Sequence, residues 1–332
     1  YLKNKLQSDT KIIAVVKAFA YGHGDVAIAK KLEELGVDAF WVADFEEGVN
    51  LRKARILKKI IVANPGAKSY SEIVKYDLEP VIYNFRLLEI FGGYTAPISV
   101  HIKFNTGMNR YGFNLEEVEL LASKLKKFSH LKIASICSHL AAADDKSRDD
   151  FTQKQFKKFN TICNIFSEKL NIHPKRHILN TTGVLRFLKH QYEMVRLGIG
   201  LYGIGKDDNL KAVGKLVSNV TQIRILEKGE VVGYDASFIV KQEMKIAVIP
   251  LGYADGINRK LGDGRGRVLI NNVPAPIVGK ISMDSFMVDI SGINAKEGDL
   301  VTVFGEENSV DDIAKNMDTI PYEILASLNI DM

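Results

Sequence analysis

Lys17 ends a strongly apolar segment near the start of the chain. Residues 12–16 (IIAVV) are typical of a buried strand, and Lys17 follows them directly, with Tyr21 four residues later. An ammonium group at the edge of a buried strand loses part of its hydration. This lowers its pKa and makes the neutral amine a nucleophile toward carbonyl compounds. The residue types therefore predict carbonyl chemistry at Lys17, either with a substrate, as in an aldolase, or with pyridoxal phosphate.

Polar side chains also close four later strands of the predicted sheet. In chain order they are Lys103, His139, the pair Asn180 and Thr181, and Arg196. Each has a plain structural explanation, because a lysine at a strand end usually reaches solvent and a lone histidine is usually hydrogen-bonded within the fold. Chance does not readily place such residues at the ends of five separate strands. The pattern therefore favours one shared site.

The elements that must position these residues follow a repeating pattern up to about residue 205. Short apolar runs alternate with amphipathic segments, which is typical of parallel strands covered by helices. The predicted strands are 11–17, 38–43, 59–63, 78–83, 98–105, 131–139, 177–180 and 194–199. The predicted helices are 24–35, 45–55, 69–76, 84–91, 114–127, 147–170 and 182–189. About eight such units close into a (β/α)8 barrel.

After about residue 210 the pattern changes. Short β-branched segments are separated by Gly, Asp and Asn turns, and helical spacing returns only near 310–328. The predicted fold class is therefore α/β, with an N-terminal (β/α)8 TIM-like barrel and a C-terminal all-β domain. We predict the barrel at residues 1–212 and the β domain at 213–332.

The barrel prediction bears on the choice of chemistry, because parallel barrel strands end at one rim, where such folds carry their active sites. Thr181 follows the seventh predicted strand, and the backbone of Gly198 and Ile199 follows the eighth, where barrels commonly bind phosphate. Tyr21 offers a further hydroxyl group. A phosphate site beside a lysine amine favours pyridoxal phosphate as the partner of Lys17.

Composition narrows the classes of function. The net charge of +5 over 332 residues is spread along predicted helices, so no nucleic-acid partner is expected. No apolar run approaches the roughly 18 residues of a membrane span, so no membrane association is expected. Cys137 and Cys163 form no disulfide framework and favour a reducing compartment, the cytoplasm. Cys137 and His139 lack a second pair at a ligand spacing, so no metal site is expected.

Nine segments, in order along the chain, resemble the motifs of alanine racemases, which are pyridoxal-phosphate enzymes of fold type III. They are AVVKAFAYGHG (14–24), HIKFNTGMNRYGF (101–113), CSHLAAADD (137–145), ILNTTG (178–183), MVRLGIGLYG (194–203), VVGYDASF (231–238), IPLGYADG (249–256), GKISMDSFMVDI (279–290) and IPYE (320–323). The segments span nearly the whole chain and both predicted domains. Together they are far more specific than any one of them.

The resemblance implies two catalytic residues. Lys17 carries the cofactor covalently and is the base on one face of the substrate Cα. Tyr234, in the β domain, is the base on the other face and acts in the site of the partner subunit. Racemisation needs proton removal and return on opposite faces, so two bases suit it better than one.

The resemblance also implies the residues that bind the cofactor. Its phosphate is bound by Tyr21, Thr181, Gly198, Ile199 and Tyr322. Its pyridine nitrogen is bonded by Arg196, and His139 and His177 belong to the network around the ring and Tyr234. Asn180 is a further cofactor-binding candidate. Because Arg196 keeps its proton, the pyridine nitrogen stays unprotonated, which limits side reactions such as transamination.

The substrate-binding residues implied by the resemblance are Arg110 and, from the partner subunit, Tyr253 and Met283, which line the entry. Lys103 is a candidate for carbamylation, which would turn it from a cation into an anion able to pair with Arg110. The chain departs from the usual family pattern at Phe19, where Asn is usual, and at Asn105, where Asp is usual.

The function implied is interconversion of L-alanine and D-alanine by a homodimer with shared active sites, which supplies D-alanine for peptidoglycan. One alternative is a racemase for serine or for a broad set of amino acids. Another is a non-catalytic pyridoxal-phosphate-binding protein of the same barrel fold, which would lack the β domain and Tyr234. A decarboxylase of this fold type would be expected to place an acidic residue, not Arg196, at the pyridine nitrogen.

Overall fold

The computed structural model describes residues 1–328, and the chain divides into two compact units. The first, here called the barrel unit, comprises Tyr1–Ala20 and Gly24–Leu201. The second unit comprises Tyr21–His23 and the chain from Tyr202 onward. No helix among the described residues has the length and apolar character that a membrane span requires.

The barrel unit contains eight parallel strands, in the spatial order β7-β6-β5-β4-β3-β2-β1-β8. They are β1 (Lys11–Val15), β2 (Ala39–Val42), β3 (Lys59–Val62), β4 (Glu79–Ile82), β5 (Ile98–Lys103), β6 (Leu131–Cys137), β7 (Lys175–His177) and β8 (Met194–Leu197). The Arg196 N–H donates to the Leu179 carbonyl at 2.9 Å, which joins β8 to the segment after β7 and nearly closes the barrel. The predicted TIM-like barrel is confirmed.

Helices follow the strands, as the amphipathic pattern predicts. They are α1 (Leu2–Lys5), α2 (Lys17–Gly22), α3 (Asp25–Glu34), α4 (Phe45–Lys53), α5 (Tyr70–Lys75), α6 (Phe85–Gly92), α7 (Val118–Leu125), α8 (Asp149–Leu170) and α9 (Thr181–Arg186). Side-chain caps fix several starts: Asp44 accepts from the Glu47 N–H at the start of α4, and Asn84 accepts from the Leu87 N–H at the start of α6.

The helix α2 is left-handed. Its residues Ala18, Phe19, Ala20 and Tyr21 have φ between 52° and 55°, and Gly22 has φ 74°. The predicted strand 11–17 is therefore too long, because β1 ends at Val15 and the chain turns with opposite handedness from Lys17. The side chain of Glu47 accepts hydrogen bonds from the N–H groups of Ala18 and Ala43, both at 2.7 Å, and holds the start of this turn against α4.

The seventh strand is also displaced from its predicted place. It covers Lys175–His177, whereas the sequence pattern predicts residues 177–180. Ile178 and Leu179 are fully buried but lie beyond the strand, and Asn180 caps α9 by accepting from the Gly183 N–H at 2.9 Å. Asn180 and Thr181 thus stand at a helix start rather than at a strand end.

The second unit contains a seven-stranded sheet in the order β10-β13-β16-β15-β14-β17-β9 and a two-stranded sheet of β11 and β12, whose pairings are all antiparallel. The strands are β9 (Leu216–Asn219), β10 (Gln222–Leu226), β11 (Val231–Val232), β12 (Phe238–Ile239), β13 (Met244–Ile249), β14 (Arg267–Ile270), β15 (Val273–Val278), β16 (Phe286–Asp289) and β17 (Leu300–Phe304). The helices α10 (Val310–Asn316) and α11 (Pro321–Ala326) follow. The predicted C-terminal β domain is confirmed, although the sequence pattern did not indicate β9 or β11.

Candidate active site

Lys17 is the first residue of α2 and lies two residues beyond the end of β1. The residue is solvent-accessible in the single chain, but the protein around its amine removes part of its hydration. This partial burial, followed by the charge of Arg110, lowers the pKa of Lys17, and Glu47 opposes the shift. A larger fraction of the amine is therefore neutral and nucleophilic than for a free lysine.

Lys103 is the last residue of β5 and is buried, with 9% of its surface exposed. Burial lowers its pKa to about 8; the neighbouring Cys137 opposes this shift, and the charges of Arg196, Arg110 and Lys17 add to it. Cys137 is the residue beside Lys103 in the ladder between β5 and β6. The amine of Lys103 thus lies in a cationic, poorly hydrated environment that disfavours its protonated form.

Arg196, in β8, is 4% exposed and donates into the interior of the barrel unit. Its Nη2 donates to the carbonyl oxygens of Ser138 at 2.6 Å and Ile178 at 3.2 Å, and to Nδ1 of His139 at 3.1 Å. Its Nη1 donates to Nδ1 of His177. These bonds fix the guanidinium in one orientation.

The two histidines that accept from Arg196 are neutral. Burial foremost, and then the charge of Arg196, holds the pKa of His139 and of His177 well below the usual value. The charges of Lys103, Arg110 and Lys17 lower the pKa of His139 further. Since each Nδ1 accepts a hydrogen bond, each histidine carries its proton on Nε2.

Thr181 is hydrogen-bonded to the turn that follows β8. Thr181 is 3% exposed, and its Oγ1 accepts from the N–H groups of Gly198 at 3.1 Å and Gly200 at 3.3 Å. A Cβ at Gly200 would lie 2.3 Å from Cγ2 of Thr181, so no side chain fits there. Ile199, between the glycines, is buried. This combination of backbone N–H groups and a hydroxyl suits an anionic oxygen.

Arg110 lies in an exposed loop beyond β5, beside a small pocket. The pocket is lined by Lys103, Phe104, Asn105, Thr106, Met108, Arg110, Tyr111, Ser138 and His139. Asn105 organises the loop, because its Oδ1 accepts from the N–H groups of Gly107 at 3.1 Å and Asn109 at 3.0 Å. An aspartate could accept in the same way, so Asn105 preserves this part of the loop and removes a negative charge.

Two of the predicted phosphate ligands lie in the second unit. The rings of Tyr21 and Tyr322 are 5.9 Å apart between centroids, and Tyr21 also contacts Tyr202 at 4.8 Å. Burial foremost, then the neighbouring Tyr322, raises the pKa of Tyr21, so its hydroxyl stays protonated and able to donate.

The predicted catalytic and entry residues of the second unit are exposed on its surface. Tyr234 is 68% exposed, Met283 59% and Tyr253 43%. The N–H of Ala254 donates to the Met283 carbonyl at 3.0 Å, which brings the Tyr253 and Met283 segments together. Neither Tyr253 nor Met283 therefore belongs to the core of the β domain.

Two neighbours of the site were not predicted from the sequence. Glu47 anchors the turn that carries Lys17, and the ring of Trp41 lies 5.3 Å from the guanidinium carbon of Arg196. Asp44, three residues before Glu47, gives the pattern of a helix-start capping box, and that signal was available in the sequence. Trp41 lies within the buried apolar strand β2, and its position in the sequence gave no signal of a role at the site.

The donor set of the barrel unit suits pyridoxal phosphate. It combines an amine with a lowered pKa at Lys17, a hydroxyl beside backbone N–H groups at Thr181, and a guanidinium at Arg196 that cannot give up its proton. Within residues 1–328, no three His, Cys, Asp or Glu side chains are grouped closely enough to hold a metal ion.

Comparison with known proteins places both parts of the chain in one family. The model described as "Alanine racemase, N-terminal domain" matches residues 1–206, and "Alanine racemase, C-terminal domain" matches residues 213–332. An alanine racemase of Clostridium kluyveri is 35% identical over 346 residues, covering 98% of this chain and 88% of the relative.

Solved structures support the same family assignment. An alanine racemase of Clostridium difficile 630 superposes with a TM-score of 0.92 at 32% identity, covering 99% of this chain and 89% of that chain. An alanine racemase of Bartonella henselae with covalently bound pyridoxal phosphate gives a TM-score of 0.90 at 31% identity, with 99% and 93% covered. With both domain models matched and these identities sustained over nearly its full length, the chain belongs to the alanine racemase family.

Proposed function

We propose that the protein is a pyridoxal-phosphate-dependent racemase that interconverts L-alanine and D-alanine, and that it supplies D-alanine for peptidoglycan in the cytoplasm. The observation that carries the proposal is the grouping of the Lys17 amine, whose pKa is lowered, with the fixed guanidinium of Arg196 around neutral histidines. The free, buried thiols of Cys137 and Cys163 suit a reducing compartment.

In this proposal the cofactor is bound by residues of both predicted domains, 1–212 and 213–332. Its phosphate would be bound by Tyr21, Thr181, Gly198, Ile199 and Tyr322, with Asn180 fixing the start of α9 beside Thr181. Arg196 would donate to its pyridine nitrogen, with His139 and His177 holding that guanidinium. When bound to an amino acid, pyridoxal phosphate withdraws electrons from Cα and makes the Cα proton removable.

The chain itself supplies the two bases. Lys17 Nζ would take or return the Cα proton on one face, because its lowered pKa leaves part of it unprotonated. Tyr234 of the partner subunit would do so on the other face. Its 68% exposure in the single chain leaves the hydroxyl available to a second copy. The proposed assembly is therefore a homodimer with two shared sites.

Arg110 would approach the substrate carboxylate and the cofactor's phenolic oxygen, and a carbamylated Lys103 would orient Arg110. A lysine with a pKa of about 8 has a neutral fraction at pH 7 roughly 300-fold above that of an ordinary lysine, whose pKa is near 10.5. Only the neutral amine reacts with carbon dioxide, so Lys103 is a good candidate for a carbamate. The resulting anion would pair with Arg110 instead of repelling it.

The first prediction concerns the attachment of the cofactor. Borohydride reduction of the enzyme loaded with pyridoxal phosphate, followed by peptide mapping, should place the label on Lys17. Lys103, the other buried-site lysine with a lowered pKa, provides an internal comparison and should stay unlabelled. A label on Lys103 or on any other lysine would contradict the assignment.

The second prediction concerns the substrate and tests the proposed function directly. Racemisation should be efficient with alanine and poor with lysine or arginine, because Tyr253 and Met283 of the partner subunit would leave little room beyond Cβ. Serine is expected to be a weak secondary substrate, since an apolar pocket rejects one added hydroxyl by only about 100-fold or less. Comparable kcat/KM for alanine and lysine would favour a broad-specificity racemase.

Absence of any racemisation, with the cofactor bound at Lys17, would instead favour a non-catalytic binding protein. The measurement is circular dichroism of the amino acid during turnover, in both directions for each substrate. Met283→Ala is the informative variant, because widening the entry should raise activity toward lysine more than toward alanine.

A further inference from the structure

A continuous hydrogen-bonded path runs through the interior of the barrel unit from His177 to a carboxylate. Oγ of Ser135, in β6, lies 2.9 Å from Nε2 of His177 and 2.6 Å from Nδ1 of His101. Nε2 of His101, in β5, lies 2.9 Å from Oε2 of Glu79 at the start of β4. Ser135 is 0% exposed, His101 2% and Glu79 7%, so the path is sealed from solvent along its length.

The far end of the path is an ionised carboxylate. Burial acts to raise the pKa of Glu79, but hydrogen bonds from His101 and from Lys59 outweigh it and hold that pKa at about 2. Lys59 Nζ donates to Oε1 of Glu79 at 2.7 Å, and the side chain of Lys59 is 61% exposed. Glu79 therefore accepts from two sides and has no proton to give.

The two ends of the path determine the direction of the hydrogen bonds next to them. Arg196 only donates, so Nδ1 of His177 accepts and its Nε2–H must donate to Oγ of Ser135. At the other end the Nε2–H of His101 donates to the ionised Glu79, and Oγ of Ser135 lies within hydrogen-bond distance of both histidine rings. Each polar group along the path thus has a hydrogen-bond partner, and Oγ of Ser135 is the acceptor of the His177 proton.

We propose that Ser135, His101 and Glu79 are positioning residues, which fix the ring orientation and Nε2–H tautomer of His177 and thereby hold Arg196 in place. The inference rests on the proposed function, because that function assigns Arg196 to the pyridine nitrogen. To the residues of the proposed site it adds three side chains, on three successive strands. These side chains touch neither cofactor nor substrate and act through His177.

The physical reason is that a buried neutral histidine can adopt either of two tautomers. A neutral imidazole has one donor and one acceptor nitrogen, and the partner of one nitrogen sets the role of the other. If Nε2 lost its acceptor, its buried N–H would be unsatisfied, and the ring would gain by turning or by moving its proton. A proton on Nδ1 would face the Arg196 donor, and the guanidinium would lose one of the partners that fix its orientation.

The test is nitrogen NMR of the full-length protein labelled with 15N-histidine, with the His177 signals assigned by their loss in His177→Gln. The cofactor-free wild-type chain should show one His177 tautomer, protonated at Nε2, with a slowly exchanging proton. In Ser135→Ala that proton should exchange at least roughly tenfold faster, with a second tautomer or a shifted Nδ1 signal, because the donor has lost its buried acceptor. Pyridoxal phosphate should bind roughly 5- to 100-fold more weakly.

The matched control is Ser69→Ala, which removes the hydroxyl of another buried serine of the barrel unit; that hydroxyl donates to the Gly66 carbonyl. It should leave the His177 signals and the cofactor affinity unchanged, even if it lowers stability. If Ser135→Ala does not fold, Ser135→Cys, with a nearly isosteric and weaker hydrogen-bonding group, should shift the same signals in the same direction by less.

The proposal is overturned if Ser135→Ala folds and lowers only stability, while the His177 tautomer, its proton exchange and the cofactor affinity match those of Ser69→Ala. The path would then serve only to satisfy polar groups within the barrel. Failure of the wild-type chain to take up pyridoxal phosphate would instead contradict the proposed function. The tautomer measurement on the cofactor-free chain decides the role of Ser135 in either event.

Discussion

Replacing Tyr234 with phenylalanine is expected to slow interconversion of L- and D-alanine by at least about 100-fold, the usual contribution of a general base. The proposed reaction removes a proton from one face of Cα and returns one on the other face, so both Lys17 and Tyr234 are required. The change removes one hydroxyl from a side chain that is 68% exposed in the single chain, so the fold should persist. Tyr94→Phe, at another exposed tyrosine outside the candidate site, is the control and should keep full activity.

Exchange of the Cα proton with deuterated solvent separates the two faces. Tyr234→Phe should still exchange deuterium into D-alanine, through Lys17, while scarcely converting it to the other enantiomer. Abstraction from L-alanine should be selectively impaired. Losses that are equal for the two enantiomers and arise mainly through weaker binding would show that Tyr234 only positions the substrate, which would leave Lys17 as a single base.

Mixing variants tests whether the two bases come from different subunits. Lys17→Ala and Tyr234→Phe should each be nearly inactive alone. In a mixed dimer one shared site carries both changes and the other carries neither, so random mixing should restore about a quarter of wild-type activity. If mixing restores no activity while mixed dimers are present, Lys17 and Tyr234 act within one chain.

Replacing Arg196 with methionine is expected to lower the free energy of unfolding by about 3–5 kcal/mol. Methionine has a similar length but donates nothing, so the carbonyl oxygens of Ser138 and Ile178 and Nδ1 of His177 would lose their buried donor. Urea unfolding of the cofactor-free protein measures the change. Cofactor affinity should fall as well, because the proposed partner of the pyridine nitrogen is gone.

Arg176→Met is the matched control, since Arg176 lies in the adjoining strand β7 and bonds Glu193 at 2.7 and 3.0 Å. That ion pair is about one-third to two-fifths exposed, so its loss should lower the free energy of unfolding by only about 1 kcal/mol. Similar losses for the two variants would show that the buried contacts of Arg196 contribute little to the fold.

Much of the barrel could be predicted from the sequence because buried parallel strands are apolar throughout. The strand predicted at 59–63 and the observed strand Lys59–Val62 differ by one residue, because an exposed lysine and an apolar run mark its start clearly. The strand predicted at 177–180 is wrong, although it rests on the same buried apolar pattern as the correctly predicted strands. Ile178 and Leu179 are as buried as strand residues, but Asn180 forms a helix cap, and a three-residue strand with two basic residues gives little signal.

The candidate site was predictable where polar side chains stand at or near strand ends, as at Lys103 and Arg196. The interior path was not predicted, although Glu79 and His101 are polar residues within otherwise apolar strands. That contrast was a usable signal, because a buried charge requires a partner. Ser135 gave no signal, since a serine between apolar residues is compatible with many environments. The role of Ser135 depends on His101 and His177, which the pairing of β6 with β5 and β7 brings beside it.

The left-handed turn at Lys17–Gly22 affects the stage of folding at which Lys17 becomes able to bind the cofactor. Four consecutive residues other than glycine at positive φ cost roughly 1–2 kcal/mol each, so the turn as a whole opposes about 4–8 kcal/mol, a large part of a domain's net stability. No isolated peptide of this sequence would hold such a shape. Such a strained turn persists only where surrounding contacts, such as the hydrogen bond from Ala18 to Glu47, hold it, so it should form late in folding and open early in unfolding. A partly folded chain would then carry Lys17 as an ordinary flexible lysine, and the arrangement proposed to hold the cofactor would arise only in fully folded molecules.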